Sequence, residues 1–276
     1  MFAFIISYAA ILQIQPGLMD VKILLATSNP HKLSEIGEVF AELRALPRID
    51  EADTASLWAS RSIELIDLRD LTETIQEPVE DGRTFEANAE LKAVYYARRS
   101  GHLCLADDSG LVVDALSGEP GVMSARYAGV KGPRPMADRA NNALLLKNLA
   151  DVPTARRTAR FVCAMVLCGR VGGAGAHPVA LARATGTVEG RILGPGDEGY
   201  CIDNPRGRGD NGFGYDPLFV LPESGMTTAE LSSADKNRIS HRGRAARQMW
   251  KQIVEVLRDQ CSDQCSDQCS DQCSDQ

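Results

Sequence analysis

Two adjacent carboxylates, Asp107 and Asp108, directly follow the apolar run 103–106. Neighbouring carboxylates repel each other, so a fold tolerates them best where a hard cation or a hydrogen-bond network compensates their charge. Such a pair can hold Mg²⁺ or orient a water molecule as a general base. A solvated Asp-Asp turn explains the pair equally well when it is taken alone.

A second polar segment, Thr27-Ser28-Asn29-Pro30-His31-Lys32, stands between a predicted strand and a predicted helix. Backbone N–H groups at a helix N-terminus attract anions, and these side chains add hydrogen-bond donors and a positive charge. The segment therefore indicates a phosphate site. Plain helix capping is the commoner meaning of a Ser-Asn-Pro sequence.

Aromatic residues alternate with glycines in Gly212-Phe213-Gly214-Tyr215-Asp216-Pro217. Flat rings beside exposed backbone suit stacking on a planar base, and a core-facing turn is the alternative. Basic residues cluster in 236–242, at the predicted start of the last helix. Cations there oppose the helix dipole, which favours an anionic ligand over a merely solvated basic turn.

Two glycine-rich stretches, 194–199 and 207–212, have the Gly-x-Gly-x-x-Gly spacing of the dinucleotide fingerprint but not its structural context. Neither lies between a strand and a helix, because Pro205 and Pro217 follow them closely, so both are predicted to be turns. They are the sole reason to consider a dinucleotide-dependent oxidoreductase. Four histidines in the whole chain disfavour a His-rich metal site.

Strand and helix signals alternate along the chain and must position these segments. Short apolar runs predict buried strands, and apolar residues at helical spacing predict helices. We predict strands at 21–26, 103–106, 161–168 and 179–192, and helices beginning at Pro30, Thr84 and Ser240. This order predicts an α/β fold with a mixed sheet and flanking helices.

The composition is that of an ordinary globular protein, with 44% hydrophobic and 24% charged residues among 276. The net charge of −7 gives no sign of a nucleic-acid partner. Cys104, Cys163 and Cys168 lie in apolar runs, where free cysteine behaves as a small hydrophobe. This usage indicates a reducing compartment, and we expect a cytoplasmic protein without a membrane partner.

Both ends differ from the middle of the chain. Residues 1–18 carry no charge and are broken by Pro16-Gly17, so we interpret them as a leader or a misplaced start, with a signal anchor as the alternative. Residues 259–276 repeat Cys-Ser-Asp-Gln and are predicted to be disordered and non-functional. The folded domain is then 19–258, with a polar excursion at 45–62.

Six segments in order resemble the noncanonical purine NTP pyrophosphatases, the dITP/XTP diphosphatase or inosine triphosphatase family. They cover nearly all of 19–258: the Thr27-to-Lys32 segment, Thr84-Phe85-Glu86-Ala87-Asn88-Ala89, Ala106-to-Leu111, Pro120-Gly121 with 124–127, Gly212-to-Phe219, and Ile239-to-Gly243. The resemblance implies an elongated mixed sheet with two lobes around a nucleotide-binding cleft, a homodimer and a Mg²⁺ requirement.

The resemblance also implies a role for individual residues. Asp108 is the catalytic, metal-associated carboxylate with Asp107 in support, and Glu80 is the second metal ligand, although Glu80 rests on the neighbouring residues 82–85 alone. The implied substrate contacts are Thr27, Ser28, Asn29, Pro30, His31, Lys32, Lys92, Ser109, Phe213, Gly214, Tyr215, Asp216, Lys236, His241 and Arg242.

The implied activity is Mg-dependent hydrolysis of XTP, ITP and dITP to the monophosphate and pyrophosphate. Lys32 and Lys92 can neutralise the leaving group, and hydrogen-bond donors near His241 and Arg242 can select a 6-keto purine. Two alternatives stay open, a nucleotide sensor without hydrolysis and a Maf-like pyrophosphatase of modified pyrimidine nucleotides. The Ser240-His241-Arg242 segment disfavours the second.

Overall fold

A computed structural model describes residues 21–45, 63–170 and 176–271, with backbone alone for 259–271. The strands are β1 (Val21–Leu25), β2 (Ile63–Asp67), β3 (Leu103–Val113), β4 (Thr158–Arg170), β5 (Pro178–Ile192) and β6 (Phe219–Val220). The helices are α1 (Pro30–Ala45), α2 (Phe85–Ser100), α3 (Arg134–Asn148), α4 (Ser233–Ile239) and α5 (His241–Asp271). Within the described ranges, no helix combines the length and the apolarity that a membrane span requires.

One mixed sheet in the order β2-β1-β3-β4-β5-β6 runs through the molecule. The pairs β1–β2 and β1–β3 are parallel, whereas β3–β4, β4–β5 and β5–β6 are antiparallel. Helices cover both faces of the sheet, because α1 and α5 pack on one face and α2 packs on the other. This confirms the predicted α/β fold with a mixed sheet and flanking helices.

The sheet leaves one strand edge open where β1 ends. β1 pairs with β3 only from Leu103 to Leu105, and the last bond on this side joins the Ala26 N–H to the Leu105 carbonyl at 2.8 Å. Beyond this point β3 continues for eight residues, and no strand of the described sheet pairs with it on that side; near its end it forms an isolated antiparallel bridge from Val112 to Pro120. Since α1 and α2 lie on opposite faces here, a crevice opens at the carboxyl end of β1, the usual ligand position in such sheets.

Hydrophobic packing divides the molecule into two lobes along the same strands. In the first lobe, alternate residues of β1 and β3 face the α1–α5 layer and the α2 layer. In the second lobe, α3 packs with β6 on the far halves of β3, β4 and β5. The crevice lies between these lobes, as the resemblance implied.

Strand β3 is longer than the sequence predicts. The expected strand ends at Ala106, with Asp107–Gly110 in a turn, but the structure continues the strand to Val113 and pairs Gly110 with Val162. Two adjacent carboxylates remain in a central strand because charged partners, described below, neutralise both. Gly110 serves close packing and not a turn, since a Cβ there would lie 2.6 Å from the Gly121 carbonyl oxygen.

The glycine-rich stretches 194–199 and 207–212 are turns, as predicted. Five of their glycines have positive φ angles, and neither stretch opens a helix of dinucleotide-binding type. The dinucleotide hypothesis therefore loses its only support.

The last helix extends further than predicted. α5 begins at His241 and continues to Asp271, whereas residues 259–276 were predicted to be disordered. The physical reason is that nucleation is the costly step, so a helix already anchored by Met249, Ile253 and Leu257 extends at one hydrogen bond per added residue. Residues 272–276, the leader 1–18 and most of the polar excursion, 46–62, lie outside the described residues.

We expect that ending the chain at Arg258 leaves the melting temperature unchanged. The buried stripe described for α5 ends at Leu257, and the removed repeat has cysteine as its only apolar residue type. A melting curve of the shortened protein checks this. A chain ending at Met249 serves as the control and should lose the cooperative transition, because Trp250 and Ile253 belong to the core. Equal melting behaviour of the two shortened chains would contradict the prediction.

Candidate active site

The crevice is a cleft of about 630 Å³ between the two lobes. Its walls come from the β1–α1 loop, the open edge of β3, the loop before α2, the 212–217 loop and the start of α5. Most of the residues singled out from the sequence line it: Thr27, Ser28, Asn29, Lys32, Glu80, Lys92, Asp108, Ser109, Phe213, Gly214, Tyr215, Asp216, Lys236, His241 and Arg242.

The β1–α1 loop turns directly into the helix N-terminus. The Asn29 side chain accepts a hydrogen bond from the His31 N–H at 3.0 Å, and Pro30 is the first helical residue, where its missing N–H costs nothing. Pro30 and His31 do not line the cleft, although His31 reaches the 212–217 loop. Thr27, Ser28 and the free end of α1 therefore form the anion-attracting corner of the cleft.

The two adjacent aspartates lie on opposite sides of β3 and differ in exposure. Asp107 has no exposed side-chain surface, and its Oδ2 lies 2.8 Å from Lys32 Nζ and 3.5 Å from Arg242 Nε. Burial opposes ionisation, but these two cations hold the pKa of Asp107 well below its usual range. Because Asp107 does not line the cleft, the structure departs from the expectation that both carboxylates share the catalytic work. Asp107 instead orients Lys32 and Arg242.

Asp108 lies on the cleft side of the strand. Its Oδ2 accepts a hydrogen bond from Asn88 Nδ2 at 3.1 Å, and its Oδ1 lies 3.5 Å from Lys92 Nζ. Burial raises the pKa of Asp108 above its ordinary value in spite of Lys92. A carboxylate with a raised pKa at a cleft surface is the stronger base of the two, whereas the lowered pKa of Asp107 makes that neighbour a weaker base.

Glu80 and Asp108 lie on either side of one cation, the Lys92 ammonium. Lys92 Nζ is 2.8 Å from Glu80 Oε1, and burial of this lysine is offset by the nearby carboxylates, which raise its pKa. The pair supplies hard oxygen donors of the kind that Mg²⁺ uses together with substrate phosphates. Among the described residues, no group of three or more His, Cys, Asp or Glu side chains is arranged to hold a metal ion.

The Phe213 ring forms the opposite wall of the cleft. The His31 ring stacks on it with centroids 5.0 Å apart and an interplanar angle of 19°. Lys236 Nζ lies 5.2 Å and the Arg242 guanidinium 5.6 Å from the centroid of the same ring. A flat aromatic wall ringed by cations suits an electron-rich planar base with hydrogen-bond acceptors.

The sequence of the whole domain matches a known family. Residues 23–252 match the Ham1 family, which is most of the described chain. This chain belongs to the Ham1 family.

Individual relatives agree with this membership. A dITP/XTP pyrophosphatase of Listeria monocytogenes is 42% identical over 236 residues, which cover 86% of this chain and 96% of that protein. A solved HAM1 protein from Coxiella burnetii has a TM-score of 0.63 at 33% identity, covering 85% of this chain and 99% of the other. A dITP/XTP pyrophosphatase structure from Mycobacterium abscessus has a TM-score of 0.56 at 37% identity, over 83% and 97% of the chains.

Glu35 is a residue of this Ham1 protein that the sequence reasoning missed. Its carboxylate bonds to Arg242 and lies 2.9 Å from Lys236 Nζ, which also lies 2.7 Å from Asp216 Oδ2. Burial of Glu35 is outweighed by Arg242 and Lys236, and its pKa is lowered to about 2. The cations expected to await an anionic ligand are thus neutralised by protein carboxylates. A signal existed, because Glu35 follows Lys32 by three residues and so shares its helix face.

His241 lies in an apolar part of the site. Its ring stacks on Phe161 with centroids 4.9 Å apart, it is buried, and its Nδ1 has no hydrogen-bond partner among the residues that the structure describes. Burial lowers the pKa of His241 well below its usual value, so the ring is neutral at physiological pH. A neutral imidazole with a free nitrogen can donate to or accept from a bound base.

Other residues of the site were given no individual role from the sequence. The cleft walls include Glu77, Tyr96, Ser124, Arg126, Arg134 and Asp138. These residues come from α2, α3 and the connecting loops, and only the tertiary structure brings them to the cleft. Asn88 holds Asp108 without lining the cleft itself.

Proposed function

We propose that this Ham1 protein hydrolyses noncanonical purine nucleoside triphosphates, with XTP, ITP and dITP as substrates, to the monophosphate and pyrophosphate. The carrying observation is the combination of groups that line one cleft. A raised-pKa carboxylate and side chains suited to phosphate lie in the same cleft as an aromatic wall with hydrogen-bond donors. The activity named for its relatives supports the same substrates.

The phosphate end is formed by Thr27, Ser28, Asn29 and the N-terminus of α1 on one side and Lys92 on the other. Glu80 and Asp108 would hold Mg²⁺, which supplies charge neutralisation for the phosphate oxygens when bound. Lys32 lies at the same corner, tied to Asp107 at 2.8 Å, so its charge is fixed in direction before substrate arrives. Fixed charges cost little reorganisation during reaction.

Asp108 carries the chemical step. Its carboxylate accepts a proton from a water molecule whose oxygen bonds to the α-phosphorus, while the bond from that phosphorus to the α–β bridging oxygen breaks. The electron pair of the broken bond leaves with pyrophosphate, whose charge Lys92 helps to neutralise. Asn88 holds Asp108 by its Oδ2, which fixes the carboxylate orientation toward the cleft.

Base selection depends on donors that meet a 6-keto oxygen. Arg242 presents its guanidinium at the cleft after bonding Glu35, Asp107 and Ser109, and His241 adds a neutral imidazole. A 6-amino purine would leave unpaired the guanidinium N–H groups of Arg242 that these three partners do not take, at a cost of about 1–3 kcal/mol for each group. A site built on such bonds rejects the wrong base strongly.

The test is a substrate panel with pyrophosphate release measured for ITP, dITP, XTP, GTP and ATP, each with Mg²⁺ and with EDTA. We expect release from the first three substrates only, and only with Mg²⁺. Tight binding of ITP without pyrophosphate release would support the sensor alternative. Release from modified pyrimidine triphosphates alone would support the Maf-like alternative.

We expect Arg242→Lys to reduce the preference for ITP over ATP by about 10-fold, because the fork of donors is lost while the charge between Glu35 and Asp107 remains. The ratio of kcat/KM values for the two nucleotides measures this. Arg244→Lys is the matched control, since Arg244 bonds the Thr187 carbonyl away from the cleft. An equal fall for both nucleotides in Arg242→Lys would make Arg242 a phosphate contact.

We also propose that the protein is a cytoplasmic homodimer, as the family resemblance implies. The free, buried thiols of Cys104, Cys163 and Cys168 are compatible with a reducing compartment. Light scattering of the purified protein tests the dimer.

A further inference from the structure

Helix α3 holds one residue of the aromatic loop from both sides. Asp138 Oδ2 accepts a hydrogen bond from the Gly214 N–H at 3.0 Å. Asn142 Nδ2, one helical turn further, donates to the Gly214 carbonyl at 3.1 Å. The N–H and the carbonyl belong to the two peptide planes that flank the Gly214 Cα, so the pair of bonds fixes both its φ and its ψ.

Gly214 needs such a restraint more than any other residue type would. Its φ is 63°, in the left-handed region, and glycine loses more conformational freedom on ordering than any other residue. Its neighbours are Phe213, the aromatic wall of the cleft, and Tyr215, whose hydroxyl donates to the Ser124 carbonyl at 2.9 Å. The direction of Phe213 therefore depends on the conformation at Gly214.

The same carboxylate connects to the ring itself. Asp138 Oδ1 accepts from Arg134 Nε at 2.9 Å, and the Arg134 guanidinium lies 5.8 Å from the Phe213 centroid. Arg134, Asp138 and Asn142 are spaced by four residues and form one stripe on α3. The stripe thus contacts the loop backbone at Gly214 and the face of the ring.

Fold stability alone does not explain Asn142. This residue is 5% exposed, and its Oδ1 has no hydrogen-bond partner in the described part of the chain. A buried amide with an unpaired oxygen destabilises a fold relative to a well-packed apolar residue of similar size. Its one side-chain bond, to Gly214, is what the amide provides.

We propose that Asp138 and Asn142 are positioning residues for base discrimination, acting through Gly214 on the aromatic wall. This inference rests on the proposed function for the identity of the base. Neither residue needs to touch substrate in this role. They hold the Phe213 ring in its position relative to Arg242, whose guanidinium lies 5.6 Å from the ring centroid.

The test compares two isosteric exchanges with opposite expectations. Asp138→Asn keeps one oxygen that accepts from the Gly214 N–H and gives up the acceptor for Arg134 Nε, so the hold on Gly214 remains and discrimination should stay within about 2-fold of the original protein. Asn142→Asp has no donor for the Gly214 carbonyl and should lower discrimination about 10-fold. Arg139→Ala, an exposed residue of the same helix, is the control.

The readout is the ratio of Kd values for ITP and ATP in EDTA, measured by titration calorimetry, with a melting curve for each variant. If Asn142→Asp melts at the same temperature as the original protein but has a reduced Kd ratio, the positioning role is supported. A ratio unchanged in Asn142→Asp, or reduced equally in Asp138→Asn and Asn142→Asp, overturns it. If Asn142→Asp proves poorly folded, Asn142→Ser is measured in its place. The serine hydroxyl keeps a donor, so part of the original Kd ratio should remain. A complete loss of the ratio in a folded Asn142→Ser overturns the inference.

The two proposals fail separately. Because Kd values in EDTA need no turnover, an original protein that binds ITP over ATP without releasing pyrophosphate refutes hydrolysis and still decides the role of α3. An original protein that hydrolyses ITP but binds ITP and ATP equally refutes base discrimination by this loop.

Discussion

Asp108→Asn is expected to lower ITP turnover by about 10²–10⁴, the range typical for loss of a general base, while ITP binding persists. The amide keeps the size of the carboxylate and can still bond to Asn88 Nδ2, which lies 3.1 Å away, but it has no basic lone pair to accept a proton. Steady-state turnover at saturating Mg²⁺, paired with an ITP titration, measures the effect. Near-normal turnover of a folded variant would remove Asp108 from the proton-transfer step.

The fold should tolerate this exchange. Burial raises the pKa of Asp108, so its ionised form lowers the stability of the folded state above the ordinary aspartate pKa, and the neutral amide removes that cost. The melting temperature at neutral pH should therefore equal or exceed that of the original protein. The acidic limb of the pH–rate profile, which reports protonation of Asp108 as pH falls, should disappear with the carboxylate.

Asp107→Asn is expected to lower the free energy of unfolding by about 3–5 kcal/mol, the range for breaking a buried ion pair. The exchange places a neutral amide beside Lys32 and Arg242. The loss is large because the side chains of both cations are largely buried. Urea denaturation at neutral pH measures the loss. Asp114→Asn is the matched control, because the Asp114 side chain is 44% exposed in its pair with Arg160 and such pairs contribute about 0–1 kcal/mol.

Low pH should weaken the same interaction of Asp107 with Lys32 and Arg242. The pKa of Asp107 is lowered in the folded state, so its stabilising contribution is present above the ordinary aspartate pKa and is lost as pH falls through the lowered value. Acid unfolding should therefore begin at higher pH in Asp107→Asn than in Asp114→Asn. Coincident acid transitions in the two variants would contradict the role assigned to Asp107.

The sequence predicts the parts of this site that stand out in a short stretch of residues. Thr27, Asp108 and Phe213 carry local signals, a helix start, an acidic pair and a glycine-flanked ring, and the structure brings all three to one cleft. Glu35 shares a helix face with Lys32, but nothing nearby in the sequence predicts its pairing with Arg242, and Asn142 carries no local signal. Their roles arise from contacts 207 and 72 residues away along the chain, which no local pattern encodes.

The prediction that β3 ends at Ala106 is wrong for the same reason, because contacts with distant residues decide the conformation there. Taken locally, Asp107 and Asp108 favour a turn, because a strand interior rarely accepts two adjacent carboxylates. Lys32, Lys92 and Arg242 reverse that preference, and their positions depend on the packing of three helices against the sheet. The local preference for a turn is wrong for the backbone conformation of the pair, and the catalytic role of Asp108 stays a prediction.

The strands shared by the two lobes determine how the cleft can move. β4 and β5, of 13 and 15 residues, extend through both lobes, so continuous strands join the two lobes. A linker-joined pair of domains closes by rotation about a few backbone torsions, whereas here closure must bend continuous hydrogen-bonded strands. The sheet therefore resists movement of one lobe relative to the other. We expect the loops around the cleft to control access to it.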